Sequence, residues 1–273
     1  MDWLEPLSIA VGAWSWWIAT GVFLACAVWE TVAPDRRDDR SPLWRWLGHF
    51  ALYAGCLALT EWLPTLPDWF GSWQYRPFAA IQAYAGAGAV LLAGVAASDL
   101  LIYGVHRLDH AVFFFWRFHV VHHTDESVDL TTALRHHPIE FAANTLMTTA
   151  VGAASGLPLW VVACYGILSM SFGLLQHANI RLPSRIEPIW NLVFVGPALH
   201  RSHHANDPAY YNKNFGIVFS LWDRLFGTYR RPPTDRTHPV AFGIRDVTAA
   251  GRSGPSWVWA LPLILSRGGR TVT

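Results

Sequence analysis

The residues with the clearest chemistry are histidines, 13 in all and mostly clustered. Three patterns stand out: His106-Arg-Leu-Asp-His110, His119-Val-Val-His122-His123 and His200-Arg-Ser-His203-His204. On a helix, residues three and four apart share a face, so each pattern can aim two or three imidazoles at one point. Imidazole suits iron, zinc, copper and nickel. A cluster this size exceeds the three or four protein ligands of an ordinary zinc site and implies two metal ions. A lone HxxxH on a soluble helix is commonly an exposed polar face, but a second HxxHH starting at His200 is hard to assign to chance. His177 ends an apolar span, where a histidine is costly unless paired. His49, within a short apolar run, reads as a packing or interfacial residue, and His238, in a Pro-rich tail, as solvated.

Asp99 lies two turns before His106 on the same helix face, in place to orient a ligand imidazole from behind. Asp109, Asp125, Asn206 and Asp223 are further candidates for that role, with a solvated or capping residue as the alternative for each.

These groups need a frame. Of the 273 residues, 52% are hydrophobic and 14% charged, against about 25% charged in soluble domains, and mean hydropathy is +0.23. Crossing a ~30 Å bilayer core takes roughly 20 apolar residues. Leu7 to Trp29 qualifies; Asp2 and Glu5 before it do not fit the basic start of a signal peptide, so it reads as a retained span. Trp46 to Thr60 is short, bracketed by Arg45 and Glu61, which can snorkel. Phe78 to Ser98 is a third run, with helical character continuing past Asp99 to His110. Phe141 to Ile180 holds no Asp, Glu, Lys or Arg; as one straight helix it would be about 60 Å long, twice the hydrocarbon thickness. Gly156-Leu157-Pro158 supplies a turn, so the run reads as a hairpin returning to its starting side. Trp14, Trp16, Trp44, Trp46, Trp62, Trp69 and Trp73 are placed for the interfaces. Trp257 to Leu265 is too short to span and contains Pro262, so it should dock at the interface or on the body.

The Asp35–Arg40 loop carries Arg36, Arg37 and Arg40, whereas Pro64–Pro77 carries only Arg76, which puts the N-terminus outside. The expectation is an all-α, multi-pass transmembrane bundle of about four to five spans, hairpin included, under a cytosol-facing, histidine-rich helical cap. The hairpin puts every histidine pattern on that one side. The chain reads as one integral-membrane domain: accessory spans in 7–63, a catalytic region in 78–230 and a tail in 231–273.

Several classes are excluded or disfavoured. A net charge of +1 argues against nucleic acid. Cys26, Cys56 and Cys164 are far apart in apolar runs and read as buried thiols. A zinc hydrolase needs a base beside its metal, but no HExxH occurs and no carboxylate lies inside the HxxHH patterns. A metal transporter would hold its ligands near mid-membrane, not at one edge. No strand-turn-helix dinucleotide fingerprint is present; Gly86-Ala-Gly88 and Gly94 lie in an apolar span, where small residues serve helix packing.

From Asp99 to Tyr229 the chain resembles the fatty acid hydroxylase/sterol desaturase superfamily of membrane di-iron enzymes. The resemblance is carried by Asp99-Leu-Leu-Ile-Tyr103, Trp116-Arg-Phe-His119, Thr132-Ala-Leu-Arg135-His-His137-Pro138, Gln176-His177-Ala-Asn179, Pro197-Ala-Leu-His200, Asn214-Phe-Gly216 and Trp222-Asp223-Arg-Leu-Phe226-Gly227-Thr228, around the histidine patterns themselves. It implies ligand roles for His106, His110, His119, His122, His123, His137, His177, His200, His203 and His204; His137 is chosen as the histidine before proline, leaving His136 without a role. It implies two iron ions (zinc being able to replace them in purified protein), O₂ as cosubstrate, and hydroxylation of a fatty acyl, sterol or isoprenoid lipid, favoured over desaturation. Electrons would come from a ferredoxin, or a cytochrome b5 with its reductase. The first 75 residues lie outside the resemblance.

Overall fold

The structure is a computed structural model that describes residues 4–37, 42–63, 77–233, 241–251 and 253–265. The expectations placed on Arg40, on the Pro64–Pro77 loop with Trp69, Trp73 and Arg76, and on His238 lie outside the described residues.

The fold is all-α. Five long helices are α1 (Leu4–Val32), α2 (Pro42–Glu61), α3 (Pro77–Ala111), α5 (Pro138–Ala154) and α6 (Leu159–His177). Between α3 and α5 come α4 (Phe113–His123) and a 3₁₀ turn (Leu130–Leu134). Short helices follow: α7 (Glu187–Trp190), α8 (Pro197–His203), α9 (Leu221–Leu225), α10 (Arg245–Ala249), α11 (Pro255–Val258) and α12 (Leu261–Ile264). Among the described residues, β-structure is limited to the isolated bridges Phe194–Phe219 and Ala205–Phe242.

Among the described residues, three segments are long and apolar enough to cross a membrane: Trp14–Val32, Ala85–Ala111 and Leu159–His177. That supports a multi-pass helical membrane protein, with fewer such segments than the sequence suggests. The two shortfalls have simple causes. α2 carries Arg45, His49 and Glu61, and α5, at 17 residues, is only about 25 Å long. Trp14, Trp16 and Trp17 remain exposed, as rings meeting lipid would.

The hairpin turn forms where Gly156 takes a left-handed φ of 71°. Its arms splay, and α5 and α6 each pack on α3. The closest approach is at Gly94, where an added Cβ would stand 2.5 Å from Val161 Cγ1. The packing expected of the small residues thus falls to Gly94; Gly86 instead breaks α3, with φ 80° and ψ 174°.

Contacts between helix ends bring the histidines together. α1 packs along α6, and beyond its end Asp35 N donates to Asn179 O at 2.8 Å, just past α6. At the start of α2, Arg45 pairs with Asp125 and Asp129, and Trp46 Nε1 donates to Asp129 at 2.9 Å. The ends of α1, α3 and α6, the starts of α2 and α5, and all of α4 therefore share one side. The tail docks on the body: Leu52 of α2, Trp116, Val120 and Val121 of α4, and Val258 and Leu261 form one buried core. All three cysteines are free.

Candidate metal centre

The two HxxHH patterns lie on facing short helices and split in opposite senses. From α4, the i and i+4 pair His119 and His123 turns to one point, and His122 to another. From α8 and its C-cap, His200 and His204 turn to the second point, and His203 to the first. The end of α3 adds His106 and His110 to the first group, and the end of α6 adds His177 to the second. The result is His106, His110, His119, His123 and His203 beside His122, His177, His200 and His204, all buried, one ring nitrogen of each lying within 4.8 Å of the others in its group.

The second group shows its purpose in its spacings. His177 Nε2 stands 3.1, 3.0 and 3.2 Å from Nε2 of His122, His200 and His204, and His200 Nε2 is 3.3 Å from His204 Nε2. Two nitrogens about 2.1 Å from one ion are about 3.0 Å apart at a right angle and about 3.4 Å at the tetrahedral angle. Hydrogen bonding can satisfy only one of these three approaches to His177, whereas one ion would satisfy all four rings. His177 Nδ1 donates to Gly173 O at 2.7 Å, so in the neutral ring Nε2 carries only a lone pair, aimed at three other nitrogens.

Backbone carbonyls and one carboxylate fix the same tautomer in the first group. His106 Nδ1 donates to Phe215 O at 2.8 Å, His203 Nδ1 to Lys213 O at 2.7 Å, and His119 Nδ1 to Glu140 Oε1 at 2.7 Å. The Nε2 atoms of His106 and His203 are buried with no hydrogen-bond partner among the described residues. Buried polar atoms are ordinarily satisfied, so an orphaned pair of lone pairs beside three more imidazoles fits a cation. Protonation is opposed too. Burial, reinforced by neighbouring imidazoles, holds His122, His123, His200 and His204 well below the usual histidine range. Burial puts His203 at about 3, against the raising effect of its Lys213 hydrogen bond.

His137 is a correction to the sequence expectation: it joins neither group. It caps α5, its Nδ1 accepting from Ile139 N at 3.2 Å, and its ring lies against Phe118. Proline at the first helical position pushes the preceding residue to extended backbone, here φ −73° and ψ 134°, which suits a cap. His136, without a role in the sequence reading, stacks on His122 with centroids 4.4 Å apart at 11°. Its Nδ1 meets Glu140 Oε1 at 3.0 Å.

Asp99 also differs in detail. Fully buried, it touches no imidazole and accepts instead from Tyr165 Oη, Val218 N, Phe219 N and Trp222 Nε1 at 2.8–3.1 Å. Asp223 accepts from Phe215 N and Gly216 N at 2.8 Å and from Thr228 Oγ1 at 2.7 Å. Both carboxylates thus fix the 213–222 loop, whose carbonyls hold His106 and His203. Asn214, at φ 60°, locks that loop by donating to Ser202 Oγ and Arg230 O. Asp109 accepts from Asn144 Nδ2, Asp125 pairs with Arg45, and Asn206 Oδ1 accepts from Tyr211 Oη. Sequence reasoning missed Glu140, and named Asn214 within a motif without giving it a role. Glu140 does carry a signal, as an acidic residue immediately before a long uncharged run.

The chain belongs to the fatty acid hydroxylase family, whose sequence profile matches residues 91–228. It is similar to the ornithine lipid hydroxylase OlsE of Rhizobium tropici, 34% identical over 162 residues, covering 58% of this chain and 46% of that protein. It is 32% identical over 146 residues to the alkylglycerol monooxygenase of Caenorhabditis elegans, covering 54% and 28%, and 26% identical over 161 residues to human lathosterol oxidase, covering 58% and 51%. The matched segments thus span about half or less of these relatives. All are oxidoreductases by name. No solved structure matches.

Proposed function

We propose that this chain is a membrane oxygenase that hydroxylates a C–H bond of a lipid-like substrate, using two iron ions, O₂ and electrons from outside. The observation that carries this reading is the pair of buried groups whose Nε2 lone pairs converge at metal-ligand spacing. His106, His110, His119, His123 and His203 would hold one ion, and His122, His177, His200 and His204 the other. Such a pair, when bound, supplies the reductive activation of O₂ that side-chain acid–base chemistry cannot. The chain's own work is positional. Phe215 O, Lys213 O, Gly173 O and Glu140 set the imidazole tautomers, Asp99 and Asp223 hold the loop that carries two of those carbonyls, and apolar α3, α5 and α6 keep water out and guide a lipid chain. The catalytic region is 78–230; 7–63 contributes accessory spans and 231–273 a tail, in which Val258 and Leu261 dock on the body.

The relatives' names support a lipid substrate; a Delta(7)-sterol 5(6)-desaturase of Leptosphaeria maculans, 29% identical over 150 residues, keeps desaturation as the second reading. Arg36 N donates to Asn179 Oδ1 at 3.2 Å, so the Arg36–Arg37 segment lies beside the histidine side, which favours a cytoplasmic active site. The absence of a nucleotide-binding sequence motif favours an external ferredoxin or cytochrome b5 donor.

The test is the full chain in detergent or nanodiscs, loaded with iron and given O₂, a chemical or ferredoxin reductant and a panel of acyl, sterol and ether lipids. Products 16 Da heavier that require both O₂ and reductant are expected (about one oxygen atom added). Turnover without O₂, or hydrolysis products only, rejects the oxygenase.

A further inference from the structure

Past α6 the chain folds back against the last turns of α6 and α3. Phe172, five residues before the end of α6, packs on Trp190 and Phe194 at 6.1 and 5.6 Å, about 7 Å inside that end. Tyr103, eight residues before the end of α3, stacks on Phe226 at 5.5 Å, about 12 Å inside. The 186–194 and 221–226 segments therefore pack against the last turns of α6 and α3, two of the helices long and apolar enough to cross a membrane. They expose Ile189, Leu192, Leu225 and Phe226 there, which is the behaviour of interfacial elements.

Between these segments lies a cavity of about 520 Å³, lined by Arg181, Glu187, Arg224, Tyr229 and Arg231 among others. Three arginines against Glu187 in the wall, and Asp35 paired with Arg181 beside it, leave the lining net positive. Two of its guanidinium groups are held in place. Arg224 donates to Asn191 O at 2.8 Å and lies 3.8 Å from the Tyr229 ring centroid, and Arg181 Nε donates to Asp35 Oδ1 at 2.8 Å. Glu187 is tied down by the amide of Ala198 at 3.0 Å. Arginine's planar fork matches phosphate oxygens, and Leu192 shares the cavity wall with the arginines.

We propose that this cavity is a phospholipid site, with Arg181, Arg224 and Arg231 holding the phosphate and the acyl chains lying along Ile189, Leu192 and Leu225. The exposed apolar rim of Ile189, Leu192 and Leu225 is what selects a lipid over free phosphate. The proposal rests on the membrane placement of α3 and α6 and is independent of the metal chemistry.

Native mass spectrometry of the full chain in detergent tests it, with phosphatidylglycerol, dioleoylglycerol and inorganic phosphate as probes. Wild type is expected to retain one phosphatidylglycerol and to bind dioleoylglycerol at least tenfold more weakly. Arg224→Glu with Arg231→Glu is expected to lower phosphatidylglycerol affinity at least tenfold, as is Ser184→Trp, which fills the cavity without changing charge. Arg185→Glu with Arg230→Glu, outside the cavity, is expected to cost less than threefold. Equal loss in that control pair would show diffuse attraction and overturn the site. So would full competition by equimolar inorganic phosphate, equal binding of dioleoylglycerol, or unchanged binding in Ser184→Trp.

Discussion

Glu140 Oε1 holds the Nδ1–H of His119 at 2.7 Å while also standing 3.0 Å from His136 Nδ1. One carboxylate at the first turn of α5 thus orients a ring of the first histidine group and the ring stacked on His122 of the second. Such partners raise ligand basicity and fix ring orientation, and removing one typically costs about 10–100-fold in metal affinity. Glu140→Gln keeps the volume and one acceptor but loses the charge. Iron affinity, measured by competition with a chromophoric chelator, is expected to fall about tenfold for Glu140→Gln and toward 100-fold for Glu140→Ala. Wild-type affinity in both would remove the orienting role.

The adjacent histidines of the Arg135–Pro138 segment separate cleanly by experiment. His137 acts as a cap, so His137→Asn should retain the metal stoichiometry of the wild type, and His137→Ala should lose about 1 kcal/mol of stability. His122→Ala, in contrast, leaves three rings in the second group and is expected to lose one metal per chain and all turnover. Metal analysis of the purified variants decides; metal loss in His137→Asn would return that residue to the ligand set.

Asp223 and Asp99 predict a loop effect. Asp223 accepts from two successive amides and Thr228, and an asparagine there must point an NH₂ group at one of those donors. A hydrogen bond to a buried charged group contributes about 1.5–3 kcal/mol, so Asp223→Asn is expected to destabilise by about 2 kcal/mol. It should also loosen His106 through the Phe215 carbonyl. Asp99→Asn, facing four donors, should lose at least as much. Thermal unfolding in detergent gives the first number, and iron occupancy the second.

What the sequence made legible follows from where information sits in a chain. Histidine spacing encodes helical faces, so nine of the ten expected rings converge, and Gly156 supplies the turn that returns α6 to their side. The choice between His136 and His137 was not legible, because a proline-preceding residue serves equally as cap or ligand until the ring's direction is known. The acceptors Phe215 O, Lys213 O and Gly173 O have no side-chain signature at all. Asp99 shares a helix face with His106, yet its donors are Tyr165, 66 positions away, and Val218, Phe219 and Trp222, more than a hundred away, which helical periodicity cannot encode. The Gly156 turn also divides the uncharged run where the sequence puts it, leaving a first arm, α5, of only 17 residues.

Gly94 tests the packing that lets α3 and α6 share the site. With its would-be Cβ at 2.5 Å from Val161 Cγ1, Gly94→Ala forces the helices apart or twists Val161 off its rotamer. Overpacking of this kind costs about 1–3 kcal/mol, and Val161→Ala in the same chain should recover part of it. Non-additive unfolding temperatures for the two single variants and the double variant would establish the contact; strict additivity would exclude it.

Metal removal and acid act on the same rings. In the metal-free chain, burial keeps His122, His200 and His204 neutral well below the ordinary range, and His203 down to about 3. In the unfolded chain the same side chains take up protons near pH 6.5 (about the reference value). Below that pH the unfolded state binds more protons than the folded one, so stability falls as pH falls. The loss should begin near pH 6.5 (about the unfolded pKa) and continue down toward the depressed folded values. A bound metal adds to the same gradient, since protons and metal compete for the Nε2 lone pairs. Chelator-stripped protein is therefore expected to unfold at lower temperature than iron- or zinc-loaded protein at pH 7.5, and to lose further stability between pH 7 and 5 (roughly the window straddling the reference histidine pKa). Replacing His122, His200 and His204 by Gln together should flatten that slope, because three of the proton-binding rings are then absent from both states. A pH slope unchanged by the triple substitution would place the acid sensitivity elsewhere in the chain.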